Sequence, residues 1–191
     1  ASFKGRDLKS LRSGIMAGSP CPIEVMKKVM NEMGCREITI AYGQTETSPV
    51  VTQSTTSDPI ELRVETVGRA IPGVDIKIVD PETGKTLSDN LQGELCARGH
   101  CNMVGYYKNP EATQHTIRGG WVHTGDLAIR RPDGCYKITG RLKDMVIRGG
   151  ENIYPREIEE FLFTHPAVSQ AAVFGVPDAK YGEELCAWVQ L

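Results

Sequence analysis

The chain has 191 residues, 40% of them apolar and 24% charged, and a formal net charge of −2. These values exclude a disordered or fibrous chain, and acids interspersed with Lys and Arg leave no basic footprint for nucleic acid. No apolar run approaches the roughly 20 residues that a membrane-spanning helix needs, and no signal or transit pattern opens the sequence.

Residues 1–60 carry an α/β pattern. The strand-like run "SLRSGIMAG" ends in small residues, and "SPCPIEVMKKVMNEMG" follows as a predicted helix. Pro22 suits its first turn, Ile23, Met26, Val29, Met30 and Met33 recur at helical spacing, and Gly34 suits the C-terminal cap. "REITIAYG" is then a second strand running into a glycine turn. Strand, helix and strand predict a βαβ unit, whose ligands bind beyond the C-terminal strand ends.

Residues 61–141 predict a small β-rich subdomain. "VDIKIVD" and "KTLSD" flank the turn "PETG", while "LAIRR" and "CYKITG" flank "PDG", the signature of antiparallel hairpins. In "NPEATQHTI", Asn109 is the expected N-cap of a short helix and Pro110 its first residue. From residue 142 to 191 the pattern changes again. "YPREIEEFLFTHP" predicts an amphipathic helix that opens at Pro155 and buries Ile158, Phe161 and Leu162, followed by the strands "AVSQAAVFGV" and "LCAWVQL". The last apolar run has neither turn nor cap after it, so a partial C-terminal domain is expected.

Six cysteines show no C-x-x-C pair and no secreted disulfide framework, which predicts free thiols. Cys96, His100 and Cys101 lie close in sequence, but three candidate ligands on a strand-to-turn segment fall short of the four that structural zinc takes.

Four segments carry the chemistry: "MAGSP" (16–20), "AYGQTET" (41–47), "HTGDLA" (123–128) and "GRLKDMVIRGGENIYP" (140–155). Singly, each is a weak signal with a plain structural reading as a turn or connection. Together, in this order and spacing, they resemble the adenylate-forming superfamily, which includes acyl-CoA synthetases, firefly luciferase and the adenylation domains of peptide synthetases. The "RGGENIYPREIE" run is most similar to the acyl-CoA ligase branch, near medium-chain and fatty-acyl members.

The resemblance implies a fold: the end of the α/β subdomain of a large N-terminal domain (1–60), a β-rich subdomain (61–141), and the start of a small, mobile α+β C-terminal domain (142–191). It also implies roles. Gly18, Ser19 and Pro20 would line the adenine and acyl pocket, the Tyr42 ring would stack on adenine, and Gly43 would let the backbone approach the ligand. Thr45 resembles the residue that bonds the α-phosphate, and Glu46 the ligand of Mg2+, a hard cation that prefers oxygen. Asp126 and Arg141 resemble the pair that holds the ribose hydroxyls, with Ile138 alongside the nucleotide. Lys143 occupies the hinge position, and Gly149, Gly150 and Glu151 the tunnel that CoA enters. Trp121 and His123 are scaffold for the Asp126 loop.

The implied reaction consumes ATP and a carboxylic acid, releases pyrophosphate, and passes the acyl group to CoA. The family's phosphate loop and its C-terminal lysine are not in the sequence, so the chain by itself is expected to fold over 61–140, to bind nucleotide weakly and to lack adenylation activity. An amino-acid-activating domain that loads a carrier protein, a luciferase-like oxygenase, and a non-catalytic nucleotide-binding relative stay open, the last because a fold does not fix a function. The expected compartment is the cytoplasm, or the mitochondrial matrix if a transit peptide was removed. Acyl-chain length and oligomeric state have no sequence signal.

Overall fold

The computed structural model describes residues 5–18 and 23–191; Ser19, Pro20 and Pro22 lie outside the described residues. Three sheets follow one another along the chain. In the first, β1 (Ser13–Met16) and β2 (Glu37–Tyr42) pair in parallel, with α1 (Ile23–Glu32) between them, so the expected βαβ unit is present. The four-residue spacing of Met26 and Met30 puts both on one helix face, where they bury against Cys35, Ile38 and Ile40. Beyond α1, Gly34 takes a φ of +74°, a left-handed conformation suited to a helix C-terminus. The "ITIA" core of β2 is buried residue after residue, as in a strand covered on both faces.

Two short antiparallel strands, β3 (Thr52–Gln53) and β4 (Arg69–Ala70), carry this sheet past residue 60. Between them lies α2 (Ile60–Glu65), which the sequence analysis leaves unassigned because it has six residues and no capping side chain. Its Arg63 is buried, and Nη1 donates to the carbonyl oxygens of Arg36 (3.0 Å) and Ile38 (2.8 Å).

The second sheet is antiparallel and contains β5 (Val74–Val79), β6 (Gln92–Gly99), β7 (Ile117–Arg118), β8 (Trp121–Arg130) and β9 (Tyr136–Arg141). The "PDG" turn joins β8 to β9 as expected. The "KTLSD" hairpin is present but short: Thr86 bridges Val79 in antiparallel sense, the Asp80 N–H donates to the Lys85 carbonyl at 2.9 Å and the Leu87 N–H to the Ile78 carbonyl at 2.8 Å, while β5 pairs along its full length with β6 on its other edge. Leu95, Cys96 and Ala97 of β6 are fully buried, so that pairing is anchored in the core. Val51, Ile78, Leu95, Ala128 and Ile138 form the core here. Before β7, α3 (Pro110–Thr116) starts as predicted, with Asn109 Oδ1 accepting from the Ala112 N–H at 3.0 Å.

The third sheet has the order β11-β10-β13-β12, from β10 (Val146–Arg148), β11 (Glu151–Ile153), β12 (Gln170–Asp178) and β13 (Gly182–Gln190). The predicted helix α4 (Pro155–Leu162) packs on β12 and β9. Phe161 corrects its expected face, being 75% exposed. Ile158 and Leu162 are partly buried, Pro155 is buried, and Glu159 Oε1 accepts the Val173 N–H at 2.8 Å. None of the described helices is long and apolar enough to cross a membrane.

Candidate active site

Strand ends bring the motif residues together. β2 ends on Tyr42, and Asp126 and Arg141 are cross-strand partners on β8 and β9. Tyr42 Oη donates to Asp126 Oδ2 at 2.7 Å, and Arg141 Nε donates to Asp126 Oδ1 at 2.9 Å. One carboxylate thus collects residues from two sheets. Its side chain is only 7% exposed, while that of Arg141 is 56% exposed, so the guanidinium links a buried anion to solvent. Burial, reinforced by the Asp126 charge, pushes the Tyr42 phenol well above its ordinary range, which keeps Tyr42 a neutral donor.

A cavity of about 690 Å³ opens beside this cluster, within the range of small-molecule sites. Gly18, Tyr42, Gly43, Asp126, Ile138 and Arg141 line one side; Val146, Pro155 and Val173 of the third sheet and its helix line the other. Lys143 also lines it, from a single 3-10 turn (Leu142–Asp144) that with Met145 makes the connection between β9 and β10.

Thr45 and Glu46 are placed differently. They sit in the 3-10 turn Thr45–Thr47 after β2 and are not in the cavity wall. Glu46 is held by the 100–109 loop: Tyr106 Oη donates to its Oε1 at 2.6 Å, and the Met103 N–H donates to its carbonyl at 2.9 Å. Tyr42, Asp126 and Arg141 thus share the cavity wall, with Glu46 three residues beyond the lining Gly43. Gly149, Gly150 and Glu151 lie at the β10–β11 hairpin, also away from the cavity wall. With φ of +61° and +91°, the two glycines are the central residues of a tight hairpin turn that requires positive φ at both. Ser19 and Pro20 lie outside the described residues.

Gly43 has a second reason to be glycine. A β-carbon there would lie 1.9 Å from the Pro49 carbonyl oxygen, so the chain's own return past the strand end requires it, whether or not a ligand approaches.

Cys96 is close neither to His100 nor to Cys101 in chemistry. Its thiol faces His123 Nδ1 at 3.3 Å, and the same nitrogen lies 2.7 Å from Glu94 Oε2. Glu94, Cys96 and His123 offer three potential metal ligands within 4.8 Å of one another. Burial and the Glu94 charge push the thiol up to about 12, and the Arg118 guanidinium stands 3.5 Å from Glu94. The five described cysteines are free thiols, four of them buried. Sequence reasoning missed Glu94 and Tyr106; the one available signal was a charged residue inside the apolar run "GELCA".

Comparison with known proteins gives the same direction. Residues 1–107 match the AMP-binding enzyme family and residues 157–191 the AMP-binding enzyme C-terminal domain. YngI of Bacillus subtilis, assigned as an acyl-CoA synthetase, is 60% identical over 99% of this chain and 35% of its own length. The mitochondrial medium-chain acyl-CoA ligase ACSF2 of Bos taurus is 45% identical over 99% of this chain and 31% of its own. ATP-bound MatB from Rhodopseudomonas palustris superposes with a TM-score of 0.84 at 37% identity, covering 92% of this chain and 34% of that one. The chain therefore spans about a third of the length of the curated relatives it matches. Over that third, family match, sequence identity and superposition agree, and the chain belongs to the AMP-binding enzyme family.

Proposed function

We propose that the protein is an AMP-forming acyl-CoA ligase acting on a fatty acid of medium chain length. The observation that carries this reading is the buried Asp126 carboxylate, shared by Tyr42 and Arg141 at the wall of a cavity of nucleotide size. An ionised carboxylate has about four acceptor positions, so after Tyr42 and Arg141 it keeps capacity for the two adjacent hydroxyls of a ribose. Tyr42 offers a ring face for the adenine, and Ile138 an apolar wall. MatB is known with ATP bound, and the names of YngI and ACSF2 supply the CoA and the medium-chain substrate class.

In the first half-reaction an oxygen of the substrate carboxylate attacks the α-phosphorus of ATP, forming acyl-AMP as pyrophosphate leaves. In the second, the CoA sulfur attacks the acyl carbonyl, the thiol proton passes to solvent, and AMP leaves. Thr45, exposed at the strand end, is assigned to the α-phosphate. Glu46 suits Mg2+: Tyr106 occupies only one of its oxygens, and a single carboxylate is the usual protein share for this ion. When bound, Mg2+ would neutralise charge on the phosphate oxygens. Lys143 is assigned as the hinge between the half-reactions, and Gly149, Gly150 and Glu151 as the wall of the CoA path. The compartment proposed is the cytoplasm or, by the name of ACSF2, the mitochondrial matrix.

The test is ATP–pyrophosphate exchange and thioester formation by the full-length protein, across fatty acids of graded length and the proteinogenic amino acids. Exchange and CoA thioester with medium-chain acids are expected. Exchange with amino acids alone would move the protein to the carrier-loading class, and no exchange with any carboxylate would leave a non-catalytic relative.

A further inference from the structure

We propose that Glu94 is a positioning residue for the ribose-binding carboxylate, acting on Asp126 through the backbone of Gly125; the proposal rests on the Asp126 assignment made above. Glu94 is a carboxylate inside a sheet, 5% exposed, next to Leu95 and Cys96, which are fully buried. A charge in that place needs hydrogen bonds, and both of its oxygens find them on the facing strand. Oε2 accepts from His123 Nδ1 at 2.7 Å and Oε1 from the Gly125 N–H at 3.1 Å.

The same segment is where the sheet loses register. Glu94 pairs with Leu127 but Cys96 pairs with His123, so a step of two residues on β6 is opposed by a step of four on β8. The extra residues bulge, which leaves the Gly125 N–H facing no strand carbonyl and gives Gly125 a φ of +71°. Glu94 supplies the missing acceptor. Thr124 closes the other side, donating from Oγ1 to the Leu95 carbonyl at 2.7 Å and accepting the Asp126 N–H at 3.1 Å. Asp126 leaves this bulge already turned toward Tyr42 and Arg141. The carboxylate of Glu94 thereby fixes where the Asp126 backbone starts, without lining the cavity itself.

The experiment uses the full-length protein and compares kcat/KM for ATP with kcat/KM for 3′-deoxyATP in pyrophosphate exchange, alongside melting temperature. Wild type is expected to prefer ATP by about ten-fold or more, since a site built to bond a hydroxyl penalises its absence. Asp126→Asn is expected to lose most of that preference, and Glu94→Ala to lose it in the same way although it touches no nucleotide. Glu94→Asp keeps the charge but withdraws it from the Gly125 N–H, so an intermediate preference is expected, and this variant decides the matter if Glu94→Ala does not fold. A lowered melting temperature with the preference intact in both Glu94 variants would make Glu94 merely structural and overturn the proposal alone. A preference unaltered in Asp126→Asn would overturn the ribose assignment, and this proposal with it.

Discussion

Asp126 accepts from a buried phenol and a guanidinium at once, so its loss is felt twice. Asp126→Ala leaves the Tyr42 hydroxyl without its acceptor, a cost of about 1–3 kcal/mol, and should lower both the melting temperature and ATP affinity by calorimetry. Tyr42→Phe removes a single donor and should cost less on both measures. Gly43→Ala is expected to destabilise by about 1–3 kcal/mol through overpacking against Pro49, read by chemical denaturation. An alkaline effect follows from Cys96, whose thiol moves from 9.0 to about 12 in the native state. Raised in the fold, it contributes stability that is complete below pH 9 and is lost as pH climbs toward 12, because the unfolded chain ionises first. Cys96→Ala should flatten the fall in stability over that window. At this scale Tyr42 and Arg141 were legible as strand ends beside a glycine, and Asp126, inside β8, through its neighbour Gly125. Glu94 was not, since its partners lie near residue 124 and only the register shift brings them opposite.

Elements whose signals are local were read correctly. α3 announces itself through Asn109 and Pro110, and Asn109→Ala should cost about 1 kcal/mol of stability by loss of the cap, with the 100–109 loop and its grip on Glu46 loosened alongside. The βαβ unit was visible in helical spacing and in Gly34. Elements fixed by distant partners were not visible. The pairing of β5 with β6 joins residues about 15 to 25 apart and had no local signal, whereas the short "PETG" hairpin on its other edge did. α2 has no cap and is held by tertiary contacts, Arg63 foremost. On α4, Ile158 and Leu162 are partly buried as the spacing suggests, while the exposure of Phe161 and the Glu159 bond to β12 had no local signal.

For the whole molecule the decisive feature is how little chain joins its two halves across the cavity: the 3-10 turn Leu142–Asp144. If Lys143 is the hinge, Lys143→Pro, which fixes φ near −65°, should leave ATP binding within about two-fold while thioester turnover falls by about a hundred-fold. Single-turnover acyl-AMP formation set against steady-state thioester formation would show the split. The change of pattern near residue 141 coincides with the passage from the second sheet to the third, whereas the first sheet runs on to β4, past the change near residue 60; the cavity, lined from all three sheets, depends on how they meet and had no local signal. Arg63 adds one consequence. A guanidinium does not deprotonate in proteins, so its grip on the carbonyls of Arg36 and Ile38 persists at every pH the fold survives. Helix α2 and strand β2 are thereby riveted together, and with them the cavity lining at Glu65–Val67 and at Ile40–Gly43. That stretch of the cavity wall is therefore fixed by a contact that pH does not loosen.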